Sequence, residues 1–222
     1  MIFDRPIIVI GAGGHSKVLL DILLQQNAQI IGIVEDDFNK FDNQILGVKI
    51  VGNDDYILNY SPKKIYLVNA IGSAGSMNLR KKIFLKFKQE GYEFARVIHP
   101  TAVIGQTVII QEGAQIMAGA IIQIGSSVGI NSIINTKASV DHDCKIKEHV
   151  HISPGTIICG NCTVGSCTHV GAGTTIIQNI NIGEEVLIGA GSVVVKDIPA
   201  KVKAFGVPAK SIGNMSKVKK EK

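Results

Sequence analysis

A hydrophobic residue recurs at every sixth position between Ile98 and Val194. The series contains seventeen consecutive Ile or Val residues, and four positions after each comes a small or apolar residue such as Ala102, Cys144 or Cys162. Neither the 3.6-residue period of a helix nor the two-residue period of a strand explains this spacing. A strict repeat over about a hundred residues indicates a repeat architecture rather than a conventional globular core.

Six residues suit a short β segment followed by a corner, and three such units close one triangular coil of 18 residues. The Ile and Val side chains then point to the axis, and residues 18 apart stack on neighbouring coils. The sequence therefore predicts a parallel β-helix whose coils bury their aliphatic faces against one another. Tight corners favour glycine, and we expect six glycines there: Gly105, Gly129, Gly165, Gly171, Gly183 and Gly189.

The first 96 residues have a different pattern, in which short apolar runs alternate with amphipathic segments. This order predicts a Rossmann-like α/β domain at 1–96, followed by the β-helix at 97–199 and a C-terminal cap and basic tail at 200–222. In the second predicted helix, Leu79, Ile83 and Phe87 share one face. The predicted strands lie at 6–10, 30–34, 48–51, 64–71 and 94–97, and the predicted helices at 16–26 and 78–90.

A glycine turn, Gly11-Ala12-Gly13-Gly14-His15, follows the first predicted strand, and Glu35 and Asp36 follow the second. Glycines let a phosphate approach the backbone, and the N-terminus of the next helix offers N–H groups and a positive dipole end. The dinucleotide fingerprint G-x-G-x-x-G is incomplete because Ser16 holds its third glycine position, which weighs against NAD. A structural turn with an exposed acidic loop end remains an alternative.

Composition and charge exclude several function classes. Apolar runs of 18 residues and a signal-peptide cleavage pattern are both missing, so we expect a cytoplasmic protein without a membrane partner. The net charge is +5, but the segment Lys217–Lys222 alone contributes +3 of it. Because no basic stripe interleaved with aromatic residues remains, nucleic acid is not an expected partner.

The four cysteines include a C-x-x-C pair, Cys159 and Cys162, which is a pattern found in zinc and redox sites. The six-residue register places Cys144 and Cys162 at inward positions, 18 residues apart. We therefore expect core thiols and no metal.

Four histidines lie in the middle coils: His142, His149, His151 and His169. His142 stands at neither inward position and is flanked by Asp141 and Asp143, which favours an outward-facing general base. His151 and His169 are 18 apart and should stack. Three interpretations stay open: a base for acyl transfer, zinc ligands of the kind found in hexapeptide-repeat carbonic anhydrases, or inert surface residues. No Ser or Cys is predicted beside a base, which favours direct transfer over a covalent intermediate.

The chain resembles the sugar acetyltransferases of the NeuD/PglD type, which include sialic-acid O-acetyltransferases and bacillosamine or perosamine N-acetyltransferases. The resemblance covers nearly the whole chain. It is carried by IGAGGHSKV at 10–18, Glu35-Asp36, the strand end at Gly72, INT at 134–136, VDHDC at 140–144 and GVPAK at 206–210.

This resemblance implies a left-handed β-helix and a homotrimer with active sites between subunits. It implies transfer from acetyl-CoA to the amino group of a nucleotide-linked amino-deoxy sugar in bacterial surface glycan or glycoprotein biosynthesis, with O-acetylation of sialic acid or a related sugar as the alternative. His142 would be the catalytic base and Asp143 its orienting acid. The acetyl-CoA site would include His151, Gly160, Ala172 and Ala190. The nucleotide-sugar site would include Gly13, Gly14, His15, Glu35, Asp36 and Gly72.

Overall fold

The computed structural model describes residues 3–41, 43–73 and 75–214. Their contacts form two compact units. The first contains the described residues up to Gly72 together with Leu79–Ile98, and the second contains Ser73–Asn78 and the described residues from His99 onward. The segment Ser73–Asn78 thus belongs to the second unit, although the sequence places it in the first domain. The basic tail at 217–222 lies outside the described residues.

The first unit is built on one six-stranded sheet and two α-helices. The strand order is β3-β4-β2-β1-β5-β6, parallel throughout except for the β3–β4 pair. Because β2 and β5 lie on opposite sides of β1, a topological switch point falls at the carboxyl ends of β1 and β5. The elements are β1 (Ile7–Ile10), α1 (Gly14–Gln25), β2 (Ile30–Val34), β3 (Gln44–Ile45), β4 (Val48–Gly52), β5 (Tyr66–Asn69), α2 (Asn78–Gln89) and β6 (Glu93–Phe94), with 3-10 turns at Phe38–Lys40 and Asp54–Asn59.

Helix α2 buries Ile83 and Phe87 as predicted, but its buried face is shifted away from Leu79. Leu79 is 59% exposed, whereas Arg80 is 1% exposed and lies beside the buried Ile83 and Phe87. Arg80 takes an interior position because its guanidinium donates to two backbone carbonyl groups, one in the last residue of β5 and one shortly after it. An apolar pattern alone does not reveal that an arginine has such partners.

The second unit consists of two-residue strands repeated every six residues. Each strand pairs in parallel with the strand 18 residues further on, as Ile133 does with His151 and Ser127 with Lys145. Three parallel sheets result, so the predicted triangular β-helix is confirmed. The six-residue register begins at β7 (Val97–Ile98), which is the last strand of the first unit. The strands of the second unit are β8 (Val103–Ile104), β9 (Ile109–Ile110), β10 (Gln115–Ile116), β11 (Ile121–Ile122), β12 (Ser127–Val128), β13 (Ile133–Ile134), β14 (Ser139–Val140), β15 (Lys145–Ile146), β16 (His151–Ile152), β17 (Ile157–Ile158), β18 (Thr163–Val164), β19 (His169–Val170), β20 (Thr175–Ile176), β21 (Asn181–Ile182), β22 (Leu187–Ile188) and β23 (Val193–Val194).

The axis of the β-helix is filled as the register predicts. Every sixth residue from Ile116 to Val194 is at most 2% exposed. Cys144 and Cys162 are likewise buried, and both are free thiols. A hydrogen bond between these two thiols and burial raise the pKa of Cys144. The two cysteines therefore pack as small core residues.

The predicted corner glycines serve a different purpose from the expected one. Residues with a left-handed backbone recur every six positions, but three places after each axis residue, as at Gly119, Asn131 and Asp143. Glycines such as Gly129 directly follow the axis residue, where an added Cβ would lie 2.5 Å from the backbone of Lys147 on the next coil. Close stacking of the coils, not the turn, excludes a side chain there.

The C-terminal end of the β-helix is extended by a hairpin. Its strands are β24 (Val202–Phe205) and β25 (Lys210–Asn214). Strand β24 pairs in parallel with β22 and antiparallel with β25, so the hairpin continues one of the three sheets. Within the part of the chain that the structure describes, no helix has the length and apolar character needed to cross a bilayer.

Candidate active site

His142 stands at the corner between β14 and β15, and 55% of its side chain is exposed. Its neighbour Asp143 has the left-handed backbone of the turn, with φ 60°. Aspartate tolerates that conformation better than most residues. In this turn Asp143 Oδ2 lies 2.8 Å from His142 Nδ1, so two consecutive residues form a carboxylate–imidazole pair.

The carboxylates around His142 tune its basicity. The hydrogen bond that His142 donates to Asp143 raises the pKa of His142 most, desolvation opposes it less strongly, and the charges of Asp141 and Asp143 raise the pKa further. Because Nδ1 donates to Asp143, the lone pair of the neutral ring lies on Nε2. The pair thus has the composition of a general base and its orienting acid.

Gly160 lies beneath the imidazole of His142, one coil further along. A Cβ added to Gly160 would fall 2.6 Å from both Cε1 and Nε2 of His142. The backbone carbonyl of His142 also accepts the N–H of Asn161 at 2.9 Å. The predicted catalytic residue and one predicted acetyl-CoA residue are therefore brought together within one chain.

His151 and His169 stack on neighbouring strands as predicted, with ring centroids 5.0 Å apart. The structure also places Ser73 Oγ between them, 2.6 Å from His151 Nδ1 and 2.7 Å from His169 Nδ1. On the far sides of the two rings, Asn135 Nδ2 lies 3.0 Å from His151 Nε2 and Ser153 Oγ lies 3.3 Å from His169 Nε2. The expectation that no serine stands beside a base was wrong, because the sequence gives no sign that residue 73 reaches the coils.

His149 is a buried residue of a turn and does not join the other coil histidines. It is 5% exposed, occupies a left-handed turn position, and contacts Asn131 Nδ2 through Nδ1 at 3.0 Å. The four coil histidines therefore do not converge on one point. Among residues 3–41, 43–73 and 75–214 there is no group of three or more His, Cys, Asp or Glu residues arranged to hold a metal ion.

Ala172 and Ala190 lie at a different corner from His142. Both are exposed and stack directly, since the N–H of Gly191 donates to the carbonyl of Ala172 at 2.8 Å. Their corner follows the sheet that contains β13, β16 and β19, whereas His142 follows the sheet that contains β14. Ala172 and His142 therefore lie at different corners of the β-helix.

In the first unit, the glycine turn leaves open space above helix α1. A Cβ added to Gly13 or Gly14 would meet nothing within 4 Å. Gly13 is the N-cap residue, and no side chain of that residue caps the helix. A helix N-terminus is a type of site that binds anions in proteins. Glu35 Oε2 accepts the N–H of Ala12 at 2.8 Å and lies 3.5 Å from Lys40 Nζ. Asp36 is exposed beside it.

Gly72 and His15 meet at the switch point. A Cβ added to Gly72 would lie 3.5 Å from Cβ of His15, so the two predicted nucleotide-sugar residues pack together. Sequence reasoning missed the residues that hold this turn. Arg80 donates to the carbonyls of Asn69 and Ile71 at 2.6 and 2.9 Å, and Asn69 Nδ2 donates to the carbonyl of Arg80 at 2.9 Å.

Two family profiles match the chain. The profile described as the PglD N-terminal domain matches residues 6–87, and the bacterial transferase hexapeptide profile, which covers six repeats, matches residues 143–178. The first match contains the glycine turn and Gly72, and the second begins at Asp143.

Solved structures match over nearly the whole chain. One match is perosamine N-acetyltransferase from Caulobacter crescentus, which is 35% identical to this chain. The match covers 96% of this chain and 100% of that chain, with a TM-score of 0.87. That structure contains CoA and GDP-perosamine and has one histidine replaced by asparagine. The acetyltransferase domain of PglB from Neisseria gonorrhoeae is 33% identical, with 94% and 100% covered and a TM-score of 0.87. WeeI from Acinetobacter baumannii, at 24% identity and a TM-score of 0.83, supports the fold alone. The predicted fold, an α/β Rossmann-like unit followed by a left-handed parallel β-helix, is confirmed.

Proposed function

Since the chain belongs to the PglD-type sugar acetyltransferases, we propose that it transfers the acetyl group of acetyl-CoA to the amino group of a nucleotide-linked amino-deoxy sugar. The observation that carries this proposal is the exposed His142–Asp143 pair above Gly160. The neighbours add the substrate class, since perosamine N-acetyltransferase was crystallised with CoA and a GDP-linked amino sugar together. We place the product in bacterial surface glycan or glycoprotein biosynthesis.

His142 acts as the general base in this proposal. The substrate amine nitrogen forms a bond to the thioester carbon, and Nε2 of His142 takes the amine proton. The C–S bond then breaks, and the CoA thiolate leaves and takes up the proton held by the His142 imidazolium, which returns the base to its neutral form. Asp143 keeps Nδ1 of His142 protonated and stabilises the imidazolium that forms. Backbone N–H groups of the coils stabilise the oxyanion of the tetrahedral intermediate.

The first unit binds the nucleotide part of the substrate. The open space at Gly13 and Gly14, the uncapped end of α1 and the switch point at Gly72 support this assignment. Glu35 holds the turn through the N–H of Ala12, so we assign it a positioning role within the nucleotide-sugar site. The exposed Asp36 and the ring of His15 complete that site.

The acetyl-CoA site is proposed to be shared between copies of the chain. Gly160 lies with His142, but Ala172 and Ala190 occupy another corner of the prism. In a groove between the β-helices of two copies, the His142 corner of one copy faces the Ala172 corner of the next, so that acetyl-CoA contacts both. A closed cyclic trimer repeats this contact three times and leaves no open site.

We assign the reaction to the cytoplasm, where acetyl-CoA is available. The four cysteines are all free thiols, which fits a reducing compartment. N-acetylation is preferred over O-acetylation because the relative crystallised with both substrates is an N-acetyltransferase.

The test is an acetyl-transfer assay with a panel of sugars. The protein is incubated with acetyl-CoA and UDP-, GDP- or dTDP-linked amino sugars, with CMP-linked and free sialic acid as the O-acetyl arm, and thiol release is recorded. We expect turnover with at least one nucleotide-linked amino sugar and a product that resists mild alkali, as an amide does. His142→Asn should reduce that turnover by roughly 100-fold or more. Alkali-labile acetylation of sialic acid alone would contradict the amino-group assignment.

A further inference from the structure

The cluster of Ser73 with His151 and His169 has a fixed direction of hydrogen bonding, which begins at Asn135. Oδ1 of Asn135 accepts the backbone N–H of Thr136 at 2.8 Å. This contact settles the orientation of the amide, so Nδ2 is the group that faces His151 Nε2 at 3.0 Å. An amide nitrogen only donates, and therefore Nε2 of His151 is the acceptor and carries no proton when the ring is neutral.

The proton of a neutral His151 then lies on Nδ1, which donates to Ser73 Oγ at 2.6 Å. The single hydroxyl proton of Ser73 is left for Nδ1 of His169 at 2.7 Å. His169 in turn keeps its own proton on Nε2, which faces Ser153 Oγ at 3.3 Å. Each of the four contacts from Asn135 to Ser153 thus has one donor and one acceptor, and the two rings hold opposite tautomers.

Burial favours a neutral ring at His169. His151 is 7% exposed, and burial lowers the pKa of His169. The described segment around Ser73 belongs to the same compact unit as the coils. The serine hydroxyl can donate to one ring while it accepts from the other, whereas an alanine at position 73 could do neither.

We propose that Ser73 is a positioning residue of the acetyl-CoA site, whose hydroxyl holds His151 in the Nδ1-protonated form and orients its ring. The part of the proposal that concerns acetyl-CoA rests on the proposed function, because the family resemblance includes His151 in the acetyl-CoA site.

The first experiment determines the histidine tautomers directly and does not depend on enzyme activity. Long-range ¹H–¹⁵N NMR spectra of the unliganded full chain distinguish Nδ1–H from Nε2–H imidazoles, and His151→Gln and His169→Gln variants assign the signals. We expect the Nδ1–H form for His151 and the Nε2–H form for His169. Ser73→Ala should remove this pattern, and Ser73→Thr should restore it because the hydroxyl is kept. The Nε2–H form for His151 in the wild-type chain would overturn the proposal, whatever the enzyme acetylates.

The second experiment separates the two substrates. Ser73→Ala should raise the KM for acetyl-CoA roughly tenfold, a loss of ~1.4 kcal/mol of binding, and leave the KM for the sugar nucleotide nearly unchanged. Ser76→Ala is the matched control, because Ser76 is an exposed serine of the same segment whose hydroxyl accepts the N–H of Asn78 at 3.3 Å. Equal effects of the two substitutions would contradict a specific role for Ser73. An acetyl group found on the Ser73 peptide after incubation with acetyl-CoA alone would contradict the positioning role and show that Ser73 acts as a nucleophile.

Discussion

The imidazole of His142 and the backbone of Gly160 are so close that no side chain fits between them. A Cβ on Gly160 would lie 2.6 Å from Nε2, the atom that is proposed to take the substrate proton. Gly160 does not have a left-handed backbone, so its lack of a side chain serves the position of the ring and not the turn. The equivalent position on the neighbouring coil, 18 residues earlier, is occupied by His142 itself, so the repeat does not require a glycine there.

Gly160→Ala is therefore expected to reduce kcat while the fold is kept. The methyl group displaces the ring of an exposed histidine, which can move, and a misplacement of 1 Å can cost ~100-fold in rate. We expect a fall in kcat of at least roughly tenfold with a nearly unchanged melting temperature, checked by steady-state kinetics and thermal unfolding.

Gly165→Ala is the matched control for that substitution. Its added Cβ would overlap the backbone of Gly183 and Glu184 on the next coil, which cannot move away as a side chain can. We expect a loss of ~1–3 kcal/mol in the free energy of unfolding, as for an overpacked core. Unaltered kcat in Gly160→Ala, with the destabilisation confined to Gly165→Ala, would remove the role assigned to Gly160.

Asp143→Asn should change the pH dependence of the reaction. The hydrogen bond that His142 donates to Asp143 raises the pKa of His142, so the uncharged amide should lower that pKa. His142 must be neutral to accept a proton, and kcat/KM falls as the pH drops through its pKa. The acid limb is therefore expected at lower pH in the variant, with a plateau reduced roughly tenfold because the base is weaker. Asparagine adopts the left-handed backbone of position 143 readily, so folding should be unaffected.

Asp141→Asn provides the comparison. Oδ1 of Asp141 accepts the backbone N–H of His142 at 2.8 Å and influences the ring only through its charge. The acid limb should move in the same direction by a smaller amount, with little change in the plateau. A larger shift in Asp141→Asn than in Asp143→Asn would contradict the assignment of the orienting acid.

The sequence predicted the β-helix well because its register is a global property. Each axis position is constrained by the coils on both sides, so one period accounts for the burial of Ile116 to Val194 and of both core cysteines. The role of the glycines was predicted wrongly, since a period does not distinguish the tight turn from the place where two backbones come closest. That distinction depends on coordinates and separates Gly119 from Gly129.

The candidate site was predicted where it follows from the register. The outward position of His142 and the stacking of His151 over His169 both result from counting in sixes. Ser73 lies outside the repeat, so no count connects it to the coils. Arg80 was missed for a related reason, because a charged side chain is expected at the surface unless its backbone partners are known.

Gly14→Leu should weaken binding of the sugar nucleotide alone. Gly14 has an ordinary helical position with open space where a side chain would project, so leucine enters without backbone strain and fills the space assigned to the phosphates. We expect the KM for the sugar nucleotide to rise roughly tenfold, equivalent to ~1.4 kcal/mol, with the KM for acetyl-CoA unchanged. Steady-state kinetics with each substrate varied in turn measures this. Equal increases in both constants would argue against a separate nucleotide site in the first unit.

Mixed assemblies of two inactive variants should regain activity if the acetyl-CoA site is shared. His142→Ala removes the base from one corner, and Ala172→Trp blocks the other corner with a bulky ring at an exposed position. Each variant alone is expected to be inactive, because every site in a uniform assembly contains the defect. After co-expression in equal amounts, random pairing joins an intact His142 of one copy to an intact Ala172 of the next at about one quarter of the sites.

The measurement is the kcat of the co-expressed material relative to wild type, with separately purified variants mixed afterwards as the control for slow exchange of subunits. Native mass spectrometry reports the number of chains in each assembly, for which we expect three. Recovery near a quarter of wild-type kcat requires that both corners of one site come from different chains. If activity is absent although mixed trimers form, His142 and Ala172 act within the same chain or Ala172 lies off the coenzyme path, and the shared groove has to be abandoned.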